Sequence, residues 1–202
     1  MVQTATVGRG GAVDIDVSLN PAQIKRYEKA LAGVRGGMPR ALSRAINKTA
    51  SAARTIIKRD IAKVINVNQK TVTKSIDMER ASRRRLQADI RVGGKRISLG
   101  RFGAQQKKKG ASYKIKRGGA RKTILHAFGP KIEKLGKGVF IRSKDGDTFV
   151  PRFPIVKMLG PSIGGVFEGE KKLVRRAKKQ TNKRLGVELK RQVKILAAKA
   201  NR

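Results

Sequence analysis

Hydrophobic positions along the chain change period several times, and each change predicts a different kind of element. Val13, Ile15, Val17 and Leu19 alternate with Asp14, Asp16 and Ser18, the period-two pattern of a strand with one apolar face. Asn20-Pro21 follows, a capping side chain and a proline suited to a first helical position. It opens a short helix with Ile24, Tyr27 and Leu31 at helical spacing and Gly33 as the expected C-cap. From about Pro39 to Val64 the residues Leu42, Ile46, Thr49, Ala50, Ala53, Ile56, Ile57, Ile61 and Val64 fall on one stripe. Arg40, Arg44, Lys48, Arg54, Lys58 and Arg59 fall opposite, so a long helix with one apolar and one cationic face is predicted.

Asn68 is a candidate cap for a further helical turn through Val72 and Ile76. The period then returns to two. Leu86, Ala88, Ile90 and Val92 alternate with Gln87, Asp89 and Arg91, and Gly93-Gly94 ends the run. Ile97 and Leu99 suggest a returning strand, and Tyr113 and Ile115 alternate with Lys114 and Lys116 before the Gly118-Gly119 turn. Val139, Phe140 and Ile141 form an apolar run, which a turn over Ser143, Lys144, Asp145, Gly146 and Asp147 sends back into Phe149 and Val150. Hairpins in this order imply an antiparallel sheet.

The end of the chain is helical again. Val174, Ala177, Thr181, Leu185, Leu189, Val193, Leu196 and Ala200 make a broad apolar stripe between about Glu170 and Ala200. Gly186 lies inside it and costs roughly 1 kcal/mol against alanine, so the helix either bends there or runs on to about 45 Å. It either folds back on the sheet or reaches a neighbouring subunit. The fold class expected is α+β, an antiparallel sheet packed with long helices. Its divisions are an N-terminal strand or arm at 1–19, an α+β domain at 20–165 and a basic C-terminal helix at 166–202. Two apolar stripes of this size exceed what one small sheet covers, which favours assembly into a closed homo-oligomeric ring. Pro151, Pro154 and Pro161 restrict the segment after the sheet, so 151–165, with Phe153, Ile155 and Leu159, is expected to be an extended arm that docks on a neighbour.

Composition adds one dominant fact. Fifty Lys and Arg stand against thirteen Asp and Glu, a formal charge of +37 over 202 residues. Self-repulsion on that scale lowers stability unless something negative lies nearby: nucleic acid, an acidic protein surface or an anionic membrane. Cysteine is absent, which excludes disulfides, thiolate chemistry and zinc fingers, since the one histidine, His126, cannot make a metal site alone. No secretory signal and no eighteen-residue apolar run is present, so a soluble, cytosolically assembled protein without a membrane partner is expected.

Catalytic patterns fail one by one. Gly93-Gly94-Lys95-Arg96 follows a strand, but a phosphate loop needs glycine where Asp89 stands and Ser or Thr where Arg96 stands. Asp145 and Asp147 flank Gly146 and read as turn-formers rather than metal ligands. His126 beside Ala127 and Phe128 has no acid close in sequence to make it a general base. No catalytic residue, metal or cofactor is expected.

Basic residues carry the signal. No acid occurs between Asp89 and Glu133, and that gap holds Arg91, Lys95, Arg96, Arg101, Lys107, Lys108, Lys109, Lys114, Lys116, Arg117, Arg121, Lys122 and Lys131. From Lys171 to Arg202 the only acid is Glu188. Gln105–Gly110 is expected to be a mobile, lysine-rich loop tip that touches phosphate without reading sequence. Aromatics able to stack bases are few in the basic segment, Phe102 and Tyr113 among them, too few for single-strand binding by stacking.

The run Ala41-Leu42-Ser43-Arg44-Ala45-Ile46-Asn47-Lys48-Thr49-Ala50 resembles the opening of the long helix in the phage minor tail protein Z family. Ile97-Ser98-Leu99, Phe102-Gly103-Ala104, Gly110-Ala111-Ser112-Tyr113 and Ala127-Phe128 follow in the family's order, then Gly138-Val139-Phe140-Ile141-Arg142, Arg152-Phe153-Pro154-Ile155 and Leu159-Gly160-Pro161-Ser162. The resemblance spans roughly residues 38–170 and is carried by order and spacing. It implies a non-enzymatic virion protein at the head-proximal end of a tail, acting in tail completion and head–tail joining at the neck. Its implied partners are tail terminator, tail tube or head–tail connector proteins, and a hexameric ring follows by analogy. Double-stranded DNA passes there, so Arg101, Lys107, Lys108, Lys109, Lys114, Lys116, Arg117, Arg121 and Lys122 are candidates to face DNA or an acidic neighbour. A sequence-tolerant nucleic-acid-binding protein of ribosomal or nucleoid type shares the composition but does not account for the ordered motifs.

Overall fold

A computed structural model describes residues 21–34, 36–129, 131–132, 136–142, 144–145, 148–149 and 154–200. The expected strand at 13–19, the Asn20 cap, Pro151 and Phe153 lie outside these, as do Ser143, Gly146, Asp147 and Val150 of the expected turn. The chain divides into two compact units. One comprises Met1–Lys58, Ile76–Gly93 and Phe167–Arg202, the other Arg59–Ser75 and Gly94–Val166.

In the first unit, α1 (Pro21–Ala30), the first part of α2 (Gly37–Val64) and α5 (Lys171–Ala200) supply one helical core. Leu31, Ala41 and Ala45 meet Leu185, Leu189, Val193 and Leu196, with Tyr27, Val34, Met38, Leu42, Ile46 and Ala197 packed around them. Small residues at Ala41 and Ala45 thus share a core with large ones on α5. Each buried Leu or Val contributes about 2 kcal/mol. The centre of the α2 stripe is therefore Ala41, Ala45, Thr49, Ala53, Ile57 and Ile61, while Leu42, Ile46, Ile56 and Val64 flank it half-buried. The left-handed residue after α1 is Gly36, at φ +63°, and not Gly33. The chain tightens first, through the Leu31 N–H to the Glu28 carbonyl and the Val34 N–H to the Leu31 carbonyl.

α5 is continuous through Gly186. Leu185 and Leu189, anchored in the core on either side, outweigh the glycine's cost. From Leu185 to Leu196 the α5 stripe, expected to need other subunits or the sheet, is covered by α1, α2 and the turn between them. The same unit holds the hairpin of β1 (Ile76–Glu79) and β2 (Asp89–Val92), antiparallel with Ile76 opposite Val92 and Met78 opposite Ile90. Ile76, Ile90 and Val92 are buried. Ile76 thus begins a strand instead of ending a helical turn, and Leu86, 41% exposed, lies outside β2.

In the second unit, Asn68 caps α3 (Gln69–Lys74) as its sequence predicts, accepting from the Lys70 N–H at 2.9 Å. Ile97 and Leu99 are buried but form no returning strand. Residues Leu99–Arg101 make a 3-10 turn, and Ser98 bridges Leu159. A three-stranded antiparallel sheet contains β3 (Gln105–Lys107), β4 (Gly110–Tyr113) and β5 (Lys122–Leu125), with β4 central. The lysine segment is therefore a hairpin, with Lys107 opposite Gly110 and Lys108-Lys109 as its turn, and not a loose loop. Three two-stranded pairs complete the unit: β6 (Lys131–Ile132) with β7 (Gly136–Lys137), β9 (Lys144–Asp145) with β10 (Thr148–Phe149), and β8 (Phe140–Arg142) with β11 (Ile155–Lys157). A short α4 (Ile163–Gly169) follows β11. The strands are antiparallel as expected but fall into several small sheets.

Two glycines are fixed by geometry. A Cβ on Gly100 would lie 2.8 Å from the Gly138 Cα, so two backbone segments touch there. Gly110 sits at φ +151°, and a Cβ on it would lie 2.0 Å from the Ile124 carbonyl oxygen across the β4–β5 ladder. Gly110→Ala is expected to destabilise the chain by about 3 kcal/mol in denaturant unfolding. Gly118→Ala, with open space around the added methyl, is expected to change stability by less than about 1 kcal/mol.

Candidate polyanion-binding surface

The C-terminal end of α2 explains how the basic residues of the second unit are set out. Helix ends leave carbonyls without partners and carry partial negative charge. The Arg117 N–H donates to the Val64 carbonyl at 2.9 Å, and its Nε donates to the Ile65 carbonyl at 3.3 Å. The Asn66 N–H donates to the Ile115 carbonyl at 2.8 Å, and Lys116 bridges Ile65. Nearby in the same unit, both terminal nitrogens of Arg121 donate to the Gly103 carbonyl at 2.9 and 2.7 Å. Arg101 donates to the Thr71 hydroxyl at 3.3 Å.

The arginines and lysines of the candidate set therefore differ in kind. Arg101, Arg117 and Arg121 are exposed yet tied by a guanidinium nitrogen to a neighbouring oxygen. Lys107, Lys108, Lys109 and Lys122 are exposed and Lys114 half-buried, and among the described residues none of these five enters an ion pair or a side-chain hydrogen bond. An arginine fork suits fixed carbonyls, whereas an ammonium on a flexible stem stays a hydrated point charge.

The sheet also separates the set into two groups. Lys107, Lys108 and Lys109 occupy the β3–β4 hairpin end, where Gly110 pairs with both Lys107 and Leu125. Lys122 pairs with Tyr113 at the opposite end, in sequence beside Arg121, and Lys114 follows Tyr113 directly. Gly110 and Tyr113 are three steps apart along β4, about 10 Å at the usual rise per strand residue. The Lys114 N–H donates to the Phe102 carbonyl at 3.0 Å, which fixes that end to the 3-10 turn.

The expected arm looks different in place. Residues 154–161 are extended, but their backbone is bonded within their own unit. Ile155 pairs with Arg142, the Met158 N–H donates to the Val139 carbonyl at 2.8 Å, and the Gly160 N–H donates to the Ile97 carbonyl at 2.7 Å. The Ile97 N–H returns a bond to the Pro161 carbonyl at 3.4 Å. Ile155 and Pro161 are half-buried, while Pro154 is exposed and Leu159 is 43% exposed. The segment is a structural part of its unit, with only some side chains turned outward.

Several of the motifs behind the family resemblance meet within this unit. Ser98 bridges Leu159, Phe128 bridges Phe140 and stacks on it at 6.1 Å, and Gly100 abuts Gly138. Arg142 lies over the Phe128 ring at 5.5 Å and Lys157 over the Phe140 ring at 5.8 Å. Among the described residues no group of three or more metal-ligating side chains comes together, and no helix is long and apolar enough to cross a membrane. His126 is exposed at φ 58°.

Fold and surface together define a strongly basic α+β protein with its lysines displayed on a small antiparallel sheet. A family model described as prophage minor tail protein Z (GPZ) matches residues 28–199. The chain therefore belongs to the prophage minor tail protein Z family, a family of phage tail proteins, which suggests a non-enzymatic component of the virion. No curated protein and no solved structure matches it.

Different roles for lysine and arginine give opposite mutational outcomes. Changing Lys107, Lys108, Lys109 and Lys122 together to Gln is expected to leave the unfolding midpoint unchanged or raise it at low salt, because repulsion falls. Arg121→Gln, which removes two bonds to the Gly103 carbonyl, is expected to cost about 1 kcal/mol in the same unfolding assay.

Proposed function

We propose that the chain is a structural subunit acting in tail completion and head–tail joining at the head-proximal end of the tail. Its lysine-bearing sheet there lies against the double-stranded DNA that passes through the neck. The observation that carries this reading is the family match over residues 28–199. The formal charge of +37 supports it, as do the exposed lysines Lys107, Lys108, Lys109 and Lys122, which have no acidic partner among the described residues. A duplex supplies one phosphate charge per about 1.7 Å of axis and asks only for point charges in return. Tail terminator, tail tube or connector subunits would supply the protein contacts, with exposed Leu159 and Pro154 among the side chains turned outward. A hexameric ring rests on family analogy alone, since from Leu185 to Leu196 the apolar stripe of α5 is covered within its own unit.

A stop codon early in the gene, in the phage that encodes this chain, tests the reading. Electron microscopy of the lysate is expected to show filled heads and separate tails, with infectivity restored when the chain is supplied from a plasmid. Joined, infectious particles at the usual yield without the chain would refute it.

A further inference from the structure

The β1–β2 connection, residues 80–88 of the first unit, is basic and also unusually well fixed. Its first part is held by Asn47 of α2. The Asn47 Nδ2 donates to the Ala81 carbonyl at 2.9 Å, and the Ala81 N–H donates back to the Asn47 Oδ1 at 2.8 Å. The turn that follows closes on itself. The Ser82 N–H donates to the Arg85 carbonyl at 2.8 Å, and the Arg85 N–H donates to the Ser82 hydroxyl at 3.0 Å. Arg85 then bonds both Glu79 and Asp89, so the two carboxylates at the mouth of the hairpin are matched by a cation. Between the two closing residues stand Arg83 and Arg84. Both are exposed, and among the described residues neither has a hydrogen bond or an ion pair.

Asn47, Ser82 and Arg85 order this turn, and among the described residues the side chains of the two arginines that it displays are left unused. A solvated charged loop has no need of that order. A binding element gains from it, because a prearranged turn loses little freedom when its ligand arrives. Adjacent guanidinium forks match the paired oxygens of phosphates. The surroundings favour a nucleic-acid backbone over an acidic protein. Leu86 is the only exposed large apolar residue of the connection, whereas protein interfaces need an apolar or aromatic centre. They favour a duplex over a single strand as well, since the connection contains no aromatic side chain to stack on a base. We propose that the Ser82–Arg85 turn is a preorganised phosphate clamp for double-stranded DNA, with Arg83 and Arg84 as its two contacts. This rests on the reading that the chain meets DNA, but it places a second contact in the other unit, apart from the sheet lysines.

The test measures binding of the full chain to a short duplex of arbitrary sequence across a salt series. Replacing Arg83 and Arg84 together by Ala is expected to reduce the log–log salt slope by about 0.9 for each contact, about 1.8 for the pair. Ser82→Ala keeps every charge but opens the turn, so affinity should fall several-fold while the slope stays as in the native chain. Asn47→Ala should do the same and serves as a second reading where its unfolding midpoint is unchanged. Native slope and affinity in the double arginine variant would overturn the clamp, even with the sheet lysines still binding DNA. Poly-glutamate binding that matches the duplex and shows the same losses would overturn the assignment to DNA. Failure of the native chain to bind any duplex would overturn both DNA contacts and leave head–tail joining to be judged by the stop-codon experiment.

Discussion

Electrostatic self-repulsion is the constraint under which every other feature of this protein operates. Fifty cations and thirteen anions share 202 residues, and exposed ion pairs could offset little of that even if every acid were paired. The structure meets the problem by giving its cations two kinds of surroundings. Arg96, Arg101, Arg117 and Arg121 direct guanidinium nitrogens at backbone carbonyls or a hydroxyl, so fixed dipoles replace the missing carboxylates. In the first unit Arg85 and Arg91 gather around Glu79 and Asp89. Among the described residues, the sheet lysines and the Arg83-Arg84 pair receive neither treatment and stay open to solvent.

Folding under such repulsion requires cores that do not depend on charge. The first unit achieves this with alanines of α2 against leucines and valines of α5. The second achieves it by backbone contact: Gly100 against Gly138, and the 97–99 segment bonded to residues 158–161. The family motifs there are consequently structural, and they hold the frame on which the basic residues are displayed. Buried core residues and exposed cations thus share the same short segments, as Phe102, wholly buried, and its neighbour Arg101, exposed, illustrate.

Periodicity made the helices and the Asn68 cap legible, because a long amphipathic stripe and a capping side chain are local signals. Gly186 was ambiguous for the opposite reason: its cost is local, but Leu185 and Leu189, which decide the outcome, act through distant partners on α1 and α2. The lysine hairpin gives no strand signal because all three residues of β3, Gln105–Lys107, are exposed and show no apolar alternation. Likewise β1 was invisible in Ile76-Asp77-Met78-Glu79 until β2 paired with it. Charge made the excess of cations plain, but not which of them are already engaged. Arg121 and Lys122 are neighbours of identical charge, and only the Gly103 carbonyl tells them apart. The four arginines between Arg80 and Arg85 carry no local pattern that marks an ordered turn, because the Asn47 contact that orders the segment spans 34 residues.

Within the prophage minor tail protein Z family, this reading makes the excess charge a property of the assembled particle instead of the isolated chain. The most direct test is a density map of the assembled tail neck at side-chain resolution. The account predicts that Lys107, Lys108, Lys109 and Lys122 lie against DNA phosphates, within reach of direct or water-bridged contact. Those ammonium groups pointing into open solvent, away from the genome, would contradict it.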